Sequence, residues 1–166
     1  MAYNTVKVTK YSDVIIELAA SAAILPGMLV EQVPAAATVR AHASAGGNVV
    51  PIMFALEDEL QGRQLDDGYV AGDQVQCWIP HRGDIVYARV ADEQNIAIGD
   101  LLMSNGAGRL TKYVAESWES ADAQAANTLY PNLIVGRALA ALDLSGLSTT
   151  DSSERVTEQF VKVRIV

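Results

Sequence analysis

Gln74-Val75-Gln76-Cys77-Trp78-Ile79 and Ile85-Val86-Tyr87-Ala88-Arg89-Val90, joined by Pro80-His81-Arg82-Gly83-Asp84, decide how this chain folds. In both runs apolar side chains recur at every second position, the period of a pleated strand whose faces alternate. Val75, Cys77 and Ile79 share one face against Gln74, Gln76 and Trp78. Val86, Ala88 and Val90 share another against Ile85, Tyr87 and Arg89. The Arg-Gly-Asp turn between them supplies the glycine and carboxylate that reverse a chain at little steric cost. Two strands and a turn result, with helical period in neither.

The same pattern extends in both directions. Val14, Ile16 and Leu18 oppose Ile15 and Glu17, and Val161, Val163 and Ile165 alternate with Lys162 and Arg164. Asn48 to Leu56 is apolar almost throughout, as in a strand covered on both faces. Gly46-Gly47-Asn48, Asp67-Gly68 and Asn105-Gly106-Ala107-Gly108 mark turns, the last closing a hairpin between Leu101–Ser104 and Arg109–Tyr113. The sequence therefore predicts an all-β domain of short strands around a barrel-like core.

One corner recurs. Ile24-Leu25-Pro26-Gly27-Met28-Leu29, Tyr69-Val70-Ala71-Gly72-Asp73-Gln74-Val75 and Ile96-Ala97-Ile98-Gly99-Asp100-Leu101 each place a glycine just before a new strand. Glycine tolerates the backbone angle such a turn needs, and aspartate bonds back to the backbone. The corners are unevenly spaced, so they are a reused turn and not a solenoid repeat.

The predicted organisation is an extended N-terminal arm over 1–12 and one β-rich domain over 13–166, with at most one short helix. That domain carries an Ala-rich excursion over 114–132 containing Trp118, and a Ser/Thr-rich polar connector over 144–154. Half of the 166 residues are hydrophobic, enough for one core. Twelve Lys+Arg stand against twenty Asp+Glu, a net charge of -8. That balance repels phosphate at long range and disfavours nucleic acid or an anionic membrane as partner. The longest apolar stretch, Leu18 to Val30, is broken by Ser21 and Pro26-Gly27 and is too short to span a bilayer. Asp13 and Glu17 interrupt any secretory signal, and one cysteine forms no disulfide within the chain, so synthesis and residence in a reducing cytoplasm are expected.

Catalytic patterns are sparse. One Cys and two distant His, His42 and His81, make no zinc site. His81 sits beside Asp84 in a turn, which reads as a solvated loop before it reads as an acid/base pair. There is no Gly-x-Ser-x-Gly elbow and no phosphate-cradling Gly-rich loop with Lys-Ser/Thr. Glu57-Asp58-Glu59 and Asp66-Asp67 lack the spacing of a calcium loop and read as solvated turns. Cys77, on the face of Val75 and Ile79, reads as a small buried hydrophobe. No metal, cofactor or catalytic residue is expected.

Contact residues are better candidates. Trp78, Tyr87 and Arg89 put aromatic and guanidinium groups on the faces opposite the apolar ones, the composition favoured at protein contacts. Two readings stand for them: exposure at a subunit interface, or burial under a second layer of the same domain. In the arm, Val6 and Val8 alternate with Thr5, Lys7, Thr9 and Tyr11, a weak strand able to add to a partner's sheet edge. The candidate contacts are Tyr3, Val6, Val8, Tyr11, Trp78, Tyr87, Arg89 and Trp118.

Tyr69 to Val75, Arg82-Gly83-Asp84-Ile85-Val86-Tyr87-Ala88-Arg89-Val90 and Asn95 to Leu110, taken in that order and spacing, resemble the capsid cement (head decoration) proteins of tailed bacteriophages. Ile24 to Val30, Gly136-Arg137-Ala138-Leu139 and Val161-Lys162-Val163-Arg164-Ile165 extend the likeness over most of residues 14–166; the Trp118 excursion and the polar connector do not match. The resemblance implies a small β-clip domain without catalytic activity or cofactor. It would bind the outer surface of the assembled shell, as a homotrimer at three-fold or quasi-three-fold positions. Its partner would be the major capsid protein, whose neighbouring subunits it bridges against internal DNA pressure. Two alternatives use the same residues: a SAF-like β-clip domain that binds a ligand or acts as an enzyme, and a carbohydrate-binding surface domain stacking sugars on Trp118, Tyr130 and Trp78.

Overall fold

The computed structural model describes residues 5–9, 14–34, 36–115, 132–146 and 159–166. Most of the 114–132 excursion and of the 144–154 connector lies outside them, as do Tyr3, Tyr11, Trp118 and Tyr130. The first described strand is β1 (Lys7–Thr9). Five strands then close a barrel: β2 (Ile15–Ala20), β3 (Leu29–Gln32), β4 (Thr38–Ala41), β5 (Met53–Ala55) and β6 (Gln74–Trp78), in the order β2-β4-β3-β5-β6. After it come β7 (Ile85–Arg89), β8 (Asn95–Ile96), β9 (Leu101–Ser104), β10 (Leu110–Lys112), β11 (Ile134–Ala138), β12 (Leu142–Asp143) and β13 (Phe160–Ile165). A six-stranded sheet runs β1-β7-β13-β11-β9-β10, and β8 and β12 form a separate ribbon. The β2/β4 pair is parallel; the other pairs of named strands are antiparallel. Among the described residues the only helical element is a 3-10 turn, Glu59–Gln61. The chain is all-β, as its alternation requires.

The barrel and the sheet share a wall, and the alternation of the shared strands explains how. Val30 of β3, Met53 and Ala55 of β5, and Val75 and Cys77 of β6 fill the barrel together with Val39, Ile24 and Tyr69. Their neighbours Leu29, Phe54 and Trp78 belong to a second core. There they pack with Val86 and Ala88 of β7, Leu102 of β9, Val135 of β11 and Val161, Val163 and Ile165 of β13. A strand that is apolar on both faces thus serves two cores at once, each large apolar side chain contributing roughly 1.5–3 kcal/mol on burial. The Asn48 to Leu56 run is such a strand only from Met53 onward. Val50 is 66% exposed and Pro51 is also exposed, because they form a surface ridge before the strand begins.

The corners are one turn used repeatedly. The N–H of Asp73, Asp84 and Asp100 donates to the carbonyl three residues earlier, at 3.0, 3.0 and 3.2 Å. The glycine before each Asp has φ of 95, 97 and 95°, the third-position glycine of a type II turn. Each carboxylate then accepts the N–H at the start of its turn: Val70 to Asp73 at 3.0 Å, His81 to Asp84 at 2.7 Å and Ala97 to Asp100 at 2.8 Å. At Leu25–Met28 the same turn closes with a methionine in the aspartate's place. The Val70 N–H, followed by Arg63 at 3.1 Å, holds the Asp73 carboxyl below the usual range. Lys112 at 2.8 Å, followed by the Ala97 N–H, does so for Asp100. A lowered carboxylate pKa contributes stability that is present above the unfolded value and lost as pH falls through the folded one. These corners therefore hold at neutrality and loosen in acid.

Candidate functional site

The predicted contact residues separate by burial. Val6 is fully buried: its N–H donates to Glu57 Oε2 at 3.1 Å and its carbonyl accepts the Tyr87 N–H at 2.7 Å. Lys7 to Thr9 then pair with β7 of the same chain. Over its described residues the arm pairs within its own chain, since β7 offers it an edge within reach, and β1 becomes the edge strand of that sheet. Val8 is half-buried. Glu57 and Asp58, read as solvated, are buried because each carboxylate has a backbone partner, Val6 for Glu57 and the Gln61 N–H for Asp58.

Trp78 and Arg89 are also corrected as surface residues. Trp78 is 0% exposed because the face it shares with Gln76 looks onto the second core. Arg89 is 1% exposed. Its Nε donates to Pro26 O at 2.8 Å and its Nη2 to Leu65 O at 2.7 Å, and its guanidinium lies 4.4 Å from the Phe160 ring centroid. Burial, more than the neighbouring charge of Arg109, brings its pKa down to about 10, so it is still a cation at neutrality. Tyr87 stacks on the other aromatic, Phe160, at 4.7 Å and 15°. The Pro26–Gly27 corner covers this Arg89–Phe160 pair so closely that a Cβ on Gly27 would stand 2.5 Å from Phe160 Cε1. The second-layer reading of these residues is the one the fold adopts, with Tyr87 keeping part of its surface outside.

Two clefts flank the ridge at Val50. One, of about 370 Å³, is lined by Ile16, Glu31, His42, Val50, Met53 and Ile79 among others. The other, of about 310 Å³, lies between Val49, Val50, Ile52, Arg82, Ile134 and Val166. Both clefts mix aliphatic walls with polar groups, Glu31, Gln32, His42 and Asn48 in the first and Arg82 and Asn132 in the second, the composition of a contact or ligand surface.

His42, in a stretch that reads as loop, is instead 2% exposed at the wall of the larger cleft. Its Nε2 faces Asn48 O at 2.9 Å, an atom that only accepts, so Nε2 carries the proton. Nδ1 then accepts from the Ser104 hydroxyl at 2.8 Å, and Ser104 Oγ accepts the Gly106 N–H at 3.1 Å. Glu31 Oε2 lies 3.6 Å from Nε2 while its other oxygen takes Arg40 at 2.8 Å. Both imidazole nitrogens are committed to the chain itself. This links the β9–β10 hairpin to the loop after β4, across 62 residues that no local spacing would connect. Cys77 sits in the barrel, where burial pushes its thiol up to about 12 and keeps it from acting as a nucleophile.

No protein-family model matches the chain. No curated protein matches it. Among solved structures, the head fiber gp8.5 N base of bacteriophage phi29 aligns with a TM-score of 0.51 at 14% identity, covering 93% of this chain and 95% of that one. The fold is similar to that of a phage head fiber base. The likeness takes in barrel and sheet together, since it runs nearly the full length of both chains.

Proposed function

We propose that this protein is a structural component of a tailed-phage head: a cement protein on the outer surface of the assembled capsid, without catalytic activity. The observation that carries the reading is the full-length fold likeness to a phage head fiber base, from a chain whose segments also resemble head decoration proteins. The reading extends to bridging between major capsid protein subunits and to a homotrimer at three-fold or quasi-three-fold positions. A trimer touching several shell subunits gains from effective concentration, so modest interfaces add up to firm attachment. The charge of -8 keeps the free protein soluble and gives it no attraction to packaged DNA.

The test is to add purified protein to expanded heads lacking it and to sediment the mixture. Co-sedimentation at a saturable stoichiometry, with heads that then resist heat or chelator better than bare ones, is the expected result. Protein left in the supernatant at every concentration would end the cement reading.

A further inference from the structure

Seven arginines fall among the described residues. Three of them meet a carboxylate: Arg40 with Glu31 at 2.8 Å, Arg63 with Asp73 at 3.1 Å and Arg109 with Asp92 at 3.3 Å. Arg89 is buried on carbonyls. The remaining three, Arg82, Arg137 and Arg164, are exposed and have no carboxylate partner among the described residues. They are not scattered. Arg137 and Arg164 are directly paired across β11 and β13, so their side chains leave the same face of the sheet side by side. The turn holding Arg82 is fastened to the end of β13, with the Gly83 N–H on Ile165 O at 2.9 Å and the Ile165 N–H on Asp84 O at 3.0 Å.

Like charges directly opposite one another cost stability, and this chain has twenty acidic residues with which to relieve them. It keeps the cations together at one end of the sheet instead. Arg82 lines the 310 Å³ cleft together with Val50 at 66% exposure and Val166 at 44%, and Val166 stands two residues beyond Arg164. Arg137 is held in place by its Nε bond to Gly99 O at 2.9 Å, and among the described residues its terminal nitrogens meet no acceptor. Exposed guanidinium groups near a cleft with aliphatic walls match a carboxylate next to an aliphatic side chain.

We infer that Arg82, Arg137 and Arg164, with the cleft at Val50 and Val166, form a docking face for an acidic segment of the shell protein that seats an apolar side chain in the cleft. The inference rests on the cement reading and deepens it. Charge favours a protein over nucleic acid as the occupant, because the rest of the chain repels an extended polyanion and a phosphate backbone has nothing to fill the cleft with. Complementary charge at such a face steers encounter and selects the partner.

The test compares the wild-type protein with Arg164→Glu and with Arg82→Glu/Arg164→Glu, each titrated onto heads lacking the protein and, separately, onto a 20-base-pair DNA duplex. Wild-type affinity for heads should fall as salt rises. The double variant should bind at least tenfold more weakly, and the duplex should not be bound. Arg164→Glu replaces a cation–cation pair by an opposite-charge pair with Arg137. It should therefore raise Tm by about 1–3 °C while weakening attachment, which separates lost binding from lost folding. Variants that bind heads as the wild type does would overturn the docking face and leave the cement reading standing. A wild-type protein that binds no heads would overturn both. Duplex binding that the double variant loses would reject the acidic segment in favour of a polyanion.

Discussion

Replacing Arg89 with methionine is expected to lower the free energy of unfolding by about 2–5 kcal/mol, because it strips two buried carbonyls of their donor at about 1–3 kcal/mol each. Those carbonyls belong to Pro26 and Leu65, in two separate loops that the guanidinium ties to β7. The backbone adds a third tie, Arg89 N–H to Gly27 O at 3.0 Å, which the substitution leaves intact. Methionine fills much of the volume against Phe160, so lost hydrogen bonding outweighs lost packing. Arg89→Lys keeps the charge but offers a compact ammonium in place of a fork, and should fall between wild type and Arg89→Met. The pKa near 10 gives the pH behaviour its sign. A base whose folded pKa is lowered makes the fold gain stability as pH climbs above that value, so nothing changes on this account near neutrality. Urea unfolding measures the effect as a shift in midpoint at constant slope. A Met variant within about 0.5 kcal/mol of wild type would show that the backbone bonds alone hold the corner, a smaller loss than two orphaned carbonyls allow.

Trp78→Ala is expected to cost about 3–5 kcal/mol, the range for deleting a fully buried aromatic from a shared core, and to lower Tm by about 10 °C or more. The residue is 0% exposed and packs the barrel's β6 against the sheet, so its removal weakens the joint between the two layers and not one layer alone. Its indole N–H has no hydrogen-bond partner among the described residues, and a buried donor left unpaired is itself a cost. Trp78→Phe retains a ring and removes that donor, so it should lose no more than about 1.5 kcal/mol. Thermal unfolding of the two variants side by side is the check. Equal losses in Ala and Phe would mean that the indole nitrogen matters more than the ring, which its missing partner contradicts.

Much of the fold could be read from residue patterns, and the misreadings share a cause. The strands at 74–78, 85–89 and 160–165, the hairpin around Asn105–Gly108 and the Gly-Asp corners follow from alternation and turn chemistry, both local in sequence. Alternation also separated Val75 and Cys77 from Trp78 correctly. It could not tell that the face with Trp78 meets a second core, because a strand shared by two cores has no outward face and an aromatic on it looks like a contact residue. Arg89 misled in the same way: two of its partners are carbonyls 24 and 63 residues distant, and a carbonyl leaves no mark in a side-chain pattern. Val6 read as part of an arm reaching outward because nothing near it in sequence announces the edge of β7. The arginines that meet no carboxylate among the described residues were invisible for the complementary reason. Their exposure and shared face come from the β11–β13 register, which joins residues far apart along the chain.

A three-dimensional reconstruction of heads saturated with the purified protein puts the proposed cement role to its sharpest test. Added density on the outer surface at three-fold or quasi-three-fold positions is expected, fitted by barrel and sheet, with the end of β13 that carries Arg164 turned toward the shell. Density inside the shell, or heads indistinguishable from those without the protein, would contradict it.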